Sequence, residues 1–137
     1  MEQEVELGKP RTGPLTGVRV ADFSAIFSGP IAGAMLADQG ADVIKVEAFS
    51  GDLMRKGYPQ SGGMASAFTS MNRNKRGLSV NLQTPEGKAI ATRLIQSADV
   101  VLENFRPGVM DRLGLGYEAF KEHNPCLLYT SPSPRDS

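Results

Sequence analysis

Residues 17–47, GVRVADFSAIFSGPIAGAMLADQGADVIKVE, have the pattern of a strand, a tight turn, a helix and a second strand. The two strands are predicted over residues 18–23 and 42–47, where apolar residues dominate. The helix is predicted from Pro30 to about residue 39, since proline suits the first helical position and Gly40 suits the residue after a helix. Two strands joined through one helix form a βαβ unit with parallel strands. The segment therefore predicts an α/β sheet.

The rest of the chain continues this alternation. Further strands are predicted over residues 78–82 and 99–103. A third helix is expected to begin after the N-cap candidate Thr84 and to run to about residue 97. Short helices are predicted near residues 64–71, 109–113 and 117–122, and a long surface loop over residues 48–63. The fold class is therefore α/β, with an open, mostly parallel Rossmann-like sheet and flanking helices.

Composition limits the function classes. The 137 residues fit one domain, and the 15 Lys and Arg residues balance 15 Asp and Glu residues. This balance argues against a nucleic-acid or membrane-surface partner, which would favour a basic excess. The single cysteine, Cys126, allows no internal disulfide, and the single histidine, His123, argues against a His-based metal cluster. With no apolar membrane span or signal core in the sequence, we expect a cytoplasmic protein without a metal.

The turn at residues 25–30 is the first candidate site. It follows a predicted strand and opens a helix, the position where open α/β sheets bind ligands and where helix amides suit a phosphate. A dinucleotide fingerprint would need G-x-G-x-x-G, whereas only Gly29 and Gly33 are present here. Glu47 stands where a ribose-binding acid would be found, so NAD stays an alternative. A purely structural turn is the other alternative.

Two more loops carry groups that suit a nucleotide. Arg73, Lys75 and Arg76 can meet a polyphosphate, unless they form a solvated basic loop. Residues 104–106, Asn-Phe-Arg, follow a predicted strand and offer an amide, a flat ring and a cation, with Arg112 in the next helix. Phe105 also suits the core. We expect the three loops to converge on one edge of the sheet.

Three blocks of the sequence resemble the class III coenzyme A transferase family, which includes formyl-CoA transferase, carnitine CoA-transferase and α-methylacyl-CoA racemase. They are LTGVRVADFSAIFSGPIAGAMLADQGADVIKVE, NRNKRGLSVNLQTPEGKAIATRLIQSADVVLENFRPGVMDRLGLGYEAF and the following HNP. The resemblance covers residues 15–125. It implies a Rossmann-like N-terminal part, an interlocked homodimer in the full-length form, and acyl-CoA and a carboxylic acid as substrates.

The resemblance also implies which residues contact coenzyme A. They are Phe27, Ser28, Ala48, Val80, Asn81, Leu82, Gln83, Asn104, Phe105, Arg106 and Arg112. Three of them depart from formyl-CoA transferase, which has glutamine, arginine and lysine in place of Phe27, Ala48 and Gln83. These departures argue against formyl-CoA or oxalate as the substrate.

The family's catalytic aspartate is expected beyond the end of the chain. In the transferases it attacks the acyl-CoA thioester, and in the racemases it works with a histidine. We therefore expect an irregular lead-in over residues 1–15, a CoA-binding portion over 16–125, and no turnover by this chain alone. The tail over 126–137 is expected to be non-native or disordered, since LLYTSPSPRDS resembles a translated sequencing adapter. The alternatives are a racemase fragment and a non-catalytic nucleotide-binding module.

Overall fold

The computed structural model describes residues 10–57 and 60–130 of the chain. The elements of this part are β1 (Arg19–Asp22), α1 (Ser28–Asp38), β2 (Asp42–Glu47), β3 (Gln60–Ser61), β4 (Met64–Ala65), α2 (Ser66–Met71), β5 (Arg76–Ser79), α3 (Pro85–Gln96), β6 (Val100–Leu102), α4 (Val109–Arg112) and β7 (Leu128–Thr130). Short 3-10 helices lie at Leu53–Lys56 and Tyr117–Ala119. Strands β3 and β4 form a separate antiparallel hairpin.

Five parallel strands form the main sheet in the order β5-β2-β1-β6-β7. Ala21 of β1 pairs with Ile44 of β2 on one side and with Val101 of β6 on the other. Counted along the chain, the five strands stand in the order third, second, first, fourth, fifth, which is that of dinucleotide-binding folds. The predicted Rossmann-like sheet is therefore confirmed. All five strands are parallel, and the point at which the strand order reverses lies between β1 and β6.

The two faces of the sheet are covered by different helices. Val20 and Val43 point to the face where α1 packs, and they cluster there with Ala37. Phe23 and Val101 belong to the opposite face, where they cluster with Ile95 of α3. Because helices cover both faces, the parallel strands are apolar on both sides and their carboxyl ends remain accessible at one edge.

Strand β5 ends earlier than its apolar pattern predicts. The predicted strand covers residues 78–82, whereas β5 is Arg76–Ser79. The Asn81 side-chain oxygen accepts a hydrogen bond from the Gln83 N–H at 3.0 Å, which turns the chain away from the sheet. Thr84 then caps α3 by accepting from the Gly87 N–H at 3.1 Å, as predicted. A local side-chain turn therefore shortens the strand and starts the helix.

Other predicted bounds need smaller corrections. The predicted helix over 64–71 is divided into β4 and α2, and the one over 117–122 is a 3-10 turn at Tyr117–Ala119. The predicted loop over 48–63 contains the 3-10 turn Leu53–Lys56 and strand β3. Each departure is a short element, for which tertiary contacts outweigh local sequence pattern.

The described end of the chain packs on the sheet. β7 pairs with β6, with Tyr129 beside Val101, and Leu127 is buried. The Tyr129 hydroxyl donates to the Leu115 carbonyl at 3.0 Å, and burial raises the pKa of this phenol. The expectations for residues 1–9 and 131–137 lie outside the described residues. Among the described helices, none is both long and apolar enough to cross a membrane.

Candidate functional site

A cavity of about 450 Å³ opens where strands β1, β2 and β5 reach their carboxyl ends. Its size falls within the range of about 300–1,000 Å³ that small-molecule sites occupy. It is lined by Phe23, Ser24, Ala25, Ile26, Val46, Glu47, Ala48, Gly51, Asp52, Leu53, Val80, Asn81, Leu82, Gln83, Phe105, Val109 and Leu113. An apolar floor with a few carboxylate and amide groups suits a flat, partly polar ligand.

The structure brings together six of the eleven residues for which a ligand contact is predicted. The six that line the cavity are Ala48, Val80, Asn81, Leu82, Gln83 and Phe105. Phe105 is half-buried and also packs against the core on the α3 side. Both interpretations of Phe105, as core and as cavity wall, therefore hold.

The other five predicted residues lie outside the cavity wall. Phe27 and Ser28 are exposed at the start of α1. Arg106 and Arg112 are exposed before and within α4, and neither forms an ion pair with any residue of the described ranges. Asn104 uses its side-chain amide to hold the backbone of Ala25. A ligand contact for each of these five stays a prediction.

Two buried ion pairs lie beneath the turn between β1 and α1. Lys45 Nζ is 3.0 Å from Asp52 Oδ2 and donates to the Ser24 carbonyl at 2.9 Å. Lys75 Nζ is 2.8 Å from Asp22 Oδ2. The four charged side chains are at most 3% exposed. Buried charges are tolerated only when they are paired and hydrogen-bonded, so these pairs place strong constraints on the turn.

Helix α1 approaches the second ion pair closely because it carries glycine at that point. A Cβ at Gly33 would lie 2.8 Å from Asp22 Oδ2 and 3.0 Å from Lys75 Nζ. Lys75 also donates to the Pro30 carbonyl at 2.8 Å, within the first turn of the helix. Burial lowers the pKa of Lys75, and Asp22 opposes this by favouring the charged form. The pair thus fixes the start of α1 against the sheet.

The two carboxylates of the cavity wall are held in their ionised forms. Burial alone would raise the pKa of Glu47, but hydrogen bonds from the Arg55 guanidinium and the Asp52 N–H lower it below the usual value. The pKa of Asp52 is likewise lowered, because hydrogen bonds from Met54 N–H and Lys45 outweigh its burial. Both oxygens of each carboxylate accept hydrogen bonds from within the chain, so both groups have a structural role in the wall.

Residues 73–76 do not line this cavity, and of their side chains only the buried Lys75 ammonium reaches the turn beneath it, which corrects the expectation that three loops converge there. Parallel strands begin at the edge opposite to the one where they end, so residues that precede β5 lie at the amino edge. There Arg76 pairs with Asp42, the first residue of β2, at 2.6 Å. Arg73 pairs with Asp38 at the end of α1, at 2.5 Å, and Lys75 is buried. All three cations are used within the chain.

Sequence reasoning missed the buried polar residues that shape the site. Asp22 and Lys45 stand inside otherwise apolar strands, VADF and VIKVE, and this exception to the pattern was the available signal. Glu47, considered as a ribose-binding acid, instead pairs with Arg55 at 2.6 Å. Among the described residues, no group of three or more His, Cys, Asp or Glu residues is placed to hold a metal ion.

Comparison with known proteins gives one family and consistent relatives. Residues 15–133 match the model of CoA-transferase family III. An acyl-CoA transferase of Fusarium pseudograminearum is 44% identical over 131 residues, which cover 88% of this chain and 29% of that protein. A succinyl-CoA:mesaconate CoA-transferase of Haloarcula marismortui is 45% identical over 124 residues, which cover 87% of this chain and 31% of that protein.

A solved structure supports the same relationship. A CaiB/BaiF family protein from Brucella suis superposes with a TM-score of 0.83 at 42% identity, covering 88% of this chain and 33% of that one. The chain thus spans about three tenths of the length of the curated relatives that it matches.

Proposed function

The chain belongs to CoA-transferase family III, and from that premise we propose that it is the CoA-binding portion of an acyl-CoA:carboxylate CoA-transferase. The supporting observation is the cavity at the carboxyl ends of β1, β2 and β5, which lies within the matched residues. In sheets of this strand order, nucleotides bind beyond the carboxyl ends of the strands, next to the point where the order reverses. The nucleotide part of CoA is therefore expected in this cavity.

The phosphates of CoA are expected at the side of the cavity formed by α4. Arg106 and Arg112 are exposed there. Guanidinium groups bind phosphate through paired hydrogen bonds, and these two have no carboxylate partner among the described residues. We expect Phe27 and Ser28, at the start of α1, to contact the ligand from the opposite side.

We propose that this chain alone does not transfer an acyl group. In the proposed reaction a carboxylate attacks the thioester carbonyl, a mixed anhydride forms, and CoA leaves as the thiolate. Asp52 and Glu47, the acids at the cavity wall, are both engaged by internal donors. The nucleophile is therefore expected in sequence that this chain does not contain. A purified chain that forms a new CoA thioester from succinyl-CoA and a second carboxylic acid at an enzymatic rate would contradict this.

Calorimetry with CoA, dephospho-CoA and NAD tests the binding proposal. We expect CoA to bind, and Arg112→Ala to weaken its binding about tenfold through loss of a charge-assisted contact. Arg93→Ala, at an exposed arginine on α3, is the matched control and should leave the affinity unchanged. Tighter binding of NAD than of CoA would instead indicate a nucleotide-binding module of another class.

We extend the proposal to assembly and location. Ile31 and Met35 expose an apolar stripe along α1, which supports a homodimer in the full-length form. The proposed location is the cytoplasm, where acyl-CoA substrates are available. Sedimentation analysis of the full-length protein and fractionation of the source cells test these two statements separately.

A further inference from the structure

The turn between β1 and α1 contains an unusual backbone conformation. Ile26 has a φ of +69°, in the left-handed region. For a β-branched residue this region is a true outlier, because Cβ crowds the backbone. Such a conformation persists only where the surrounding structure holds it in place, and such residues cluster at ligand sites. Ile26 lines the cavity, so its conformation shapes the wall that a ligand would meet.

Packing does not hold Ile26 in this conformation. Ile26 is 48% exposed, and it is not part of either core cluster. Hydrogen bonds to the backbone of the turn are the contacts that the structure shows instead. The Ile26 N–H donates to Asp52 Oδ2 at 3.3 Å, and this carboxylate comes from the segment after β2.

The neighbouring residues of the turn are anchored by other elements. Lys45 donates to the Ser24 carbonyl at 2.9 Å, and Asn104 holds both the N–H and the carbonyl of Ala25. The Lys45 ammonium and the Ile26 N–H share one oxygen of Asp52 as acceptor. The Lys45–Asp52 ion pair thus contacts the turn at two points, the Ser24 carbonyl and the Ile26 N–H.

Asp52 itself is tightly fixed. Its side chain is 2% exposed, and its second oxygen accepts from the Met54 N–H at 2.9 Å. Lys45 is fixed by its position on β2, which is paired with a strand on each side. A buried pair with all contacts made in one geometry is rigid, and it can impose a strained conformation on an exposed turn.

We propose that Asp52 and Lys45 form a positioning pair, which holds Ile26 in the left-handed conformation and so keeps the cavity shaped for its ligand. For the identity of that ligand, the CoA nucleotide, the inference rests on the proposed function. Without the pair, Ile26 returns to a negative φ, and the wall formed by residues 24–26 moves. The pair then acts on affinity through the turn and does not need to touch the ligand.

The test combines removal of the anchor with removal of the strain. Asp52→Asn keeps the size of the side chain but removes the negative charge that attracts the Lys45 ammonium and the Ile26 N–H. We expect it to weaken CoA binding about tenfold in calorimetry. Ile26→Gly removes a side chain from the cavity wall and also the strain, because glycine adopts positive φ freely, so it serves as the reference for the second step. In the Ile26→Gly background, Asp52→Asn should cost little further affinity, since the turn then no longer needs the anchor.

Asp38→Asn is the matched control. It removes a paired but more exposed carboxylate at the opposite edge of the sheet, and it should not affect CoA affinity. A purely structural role for Asp52 would lower the melting temperature without changing the affinity, or would lower the affinity by the same factor in the Ile26→Gly background as in the native one. Either result overturns the proposal.

A ligand-independent measurement separates this inference from the proposed function. The intraresidue NOE between the amide and Hα protons of Ile26 is stronger at positive φ. It should be strong in the native chain and weak in Asp52→Asn. If the native chain binds no CoA, the proposed function fails, and this NOE alone decides about the positioning pair. If Asp52→Asn does not fold, Asp52→Glu, which displaces the carboxylate but keeps its charge, takes its place with the same expected outcomes.

Discussion

The side-chain amide of Asn104 is paired at both ends with the backbone of Ala25. Its Nδ2 donates to the Ala25 carbonyl at 2.8 Å, and its Oδ1 accepts from the Ala25 N–H at 2.8 Å. Ala25 follows β1, and Asn104 follows β6. The strand order of the sheet reverses between these two strands. One amide therefore joins the two loops that flank the place where such folds bind ligands.

Replacing Asn104 by alanine should weaken ligand binding more than an equivalent deletion elsewhere. The change leaves two backbone groups of Ala25 without their partner, which costs about 1–3 kcal/mol of stability. Because the turn at Ala25 forms part of the cavity wall, CoA affinity should fall as well. Denaturant unfolding and calorimetry measure the two effects.

Asn124→Ala is the control for this prediction. The side-chain amide of Asn124 also forms two hydrogen bonds with the backbone: it donates to the Ala98 carbonyl and accepts from the Cys126 N–H. Neither bond lies at the cavity. Asn124→Ala should lower stability and leave CoA affinity unchanged. Equal losses of affinity in the two variants would show that Asn104 acts only through stability.

Removing Lys75 should destabilise the chain strongly. Lys75→Met leaves the Asp22 carboxylate buried without its cation, and such a loss costs about 3–5 kcal/mol. Arg73→Met removes a cation two positions away whose side chain is 48% exposed, so its ion pair with Asp38 is screened by solvent. We expect the Arg73 variant to unfold at the same denaturant concentration as the native chain. A similar effect of both changes would contradict the role assigned to burial.

The elements best predicted from the sequence are those with a strong local signal. The apolar residues Val43, Ile44 and Val46 located β2 at residues 42–47. The Thr84-Pro85 start located α3, because a cap and a fixed φ act within a few residues. The end of β5 was missed since it depends on the side-chain turn at Asn81. Local sequence patterns therefore predict where the elements lie, whereas the end of an element can depend on a single hydrogen bond.

The candidate site was only partly predictable for a different reason. The cavity residues 80–83 were predicted from the family resemblance, and Phe105 also from its place after a strand. The cations before β5 were assigned to the wrong edge, although parallel topology alone places residues before a strand opposite to those after it. The left-handed Ile26 has no sequence signal, because the residues that typically adopt this conformation are glycine and asparagine. The conformation of Ile26 depends on a long-range contact with Asp52, which cannot be recognised from the local sequence.

Stability should fall as the solution becomes acidic. The pKa values of Asp42, Glu47 and Asp52 are lowered in the folded chain, since hydrogen bonds and nearby cations outweigh burial. Their stabilising contribution is complete above their unfolded pKa values, about 4, and is lost as the pH falls through the lower folded values. Urea unfolding between about pH 7 and pH 3 should show a plateau above about pH 5 and a decline below it.

Asp42→Asn checks the origin of this decline. Asp42 faces Arg11, Arg19 and Arg76, so the variant should be less stable than the native chain at neutral pH. In acid the native carboxylate is protonated too, and the difference between the two chains should shrink. A difference that stays constant over the whole pH range would contradict the ionic origin of the effect.

The apolar stripe on α1 should drive self-association. Ile31 and Met35 are spaced four residues apart on α1, so they share one face of the helix, and they are 44% and 56% exposed. Water-exposed apolar area of this kind favours contact with a second apolar surface. Ile31→Glu combined with Met35→Glu should shift the chain toward monomer in sedimentation velocity experiments, with little loss of stability, because neither side chain is in a core cluster. Ile90→Glu, on the exposed side of α3, places one such charge at another surface and is compared with Ile31→Glu alone. It should leave association unchanged, and an equal shift toward monomer would indicate that the added negative charge, not the α1 stripe, controls assembly.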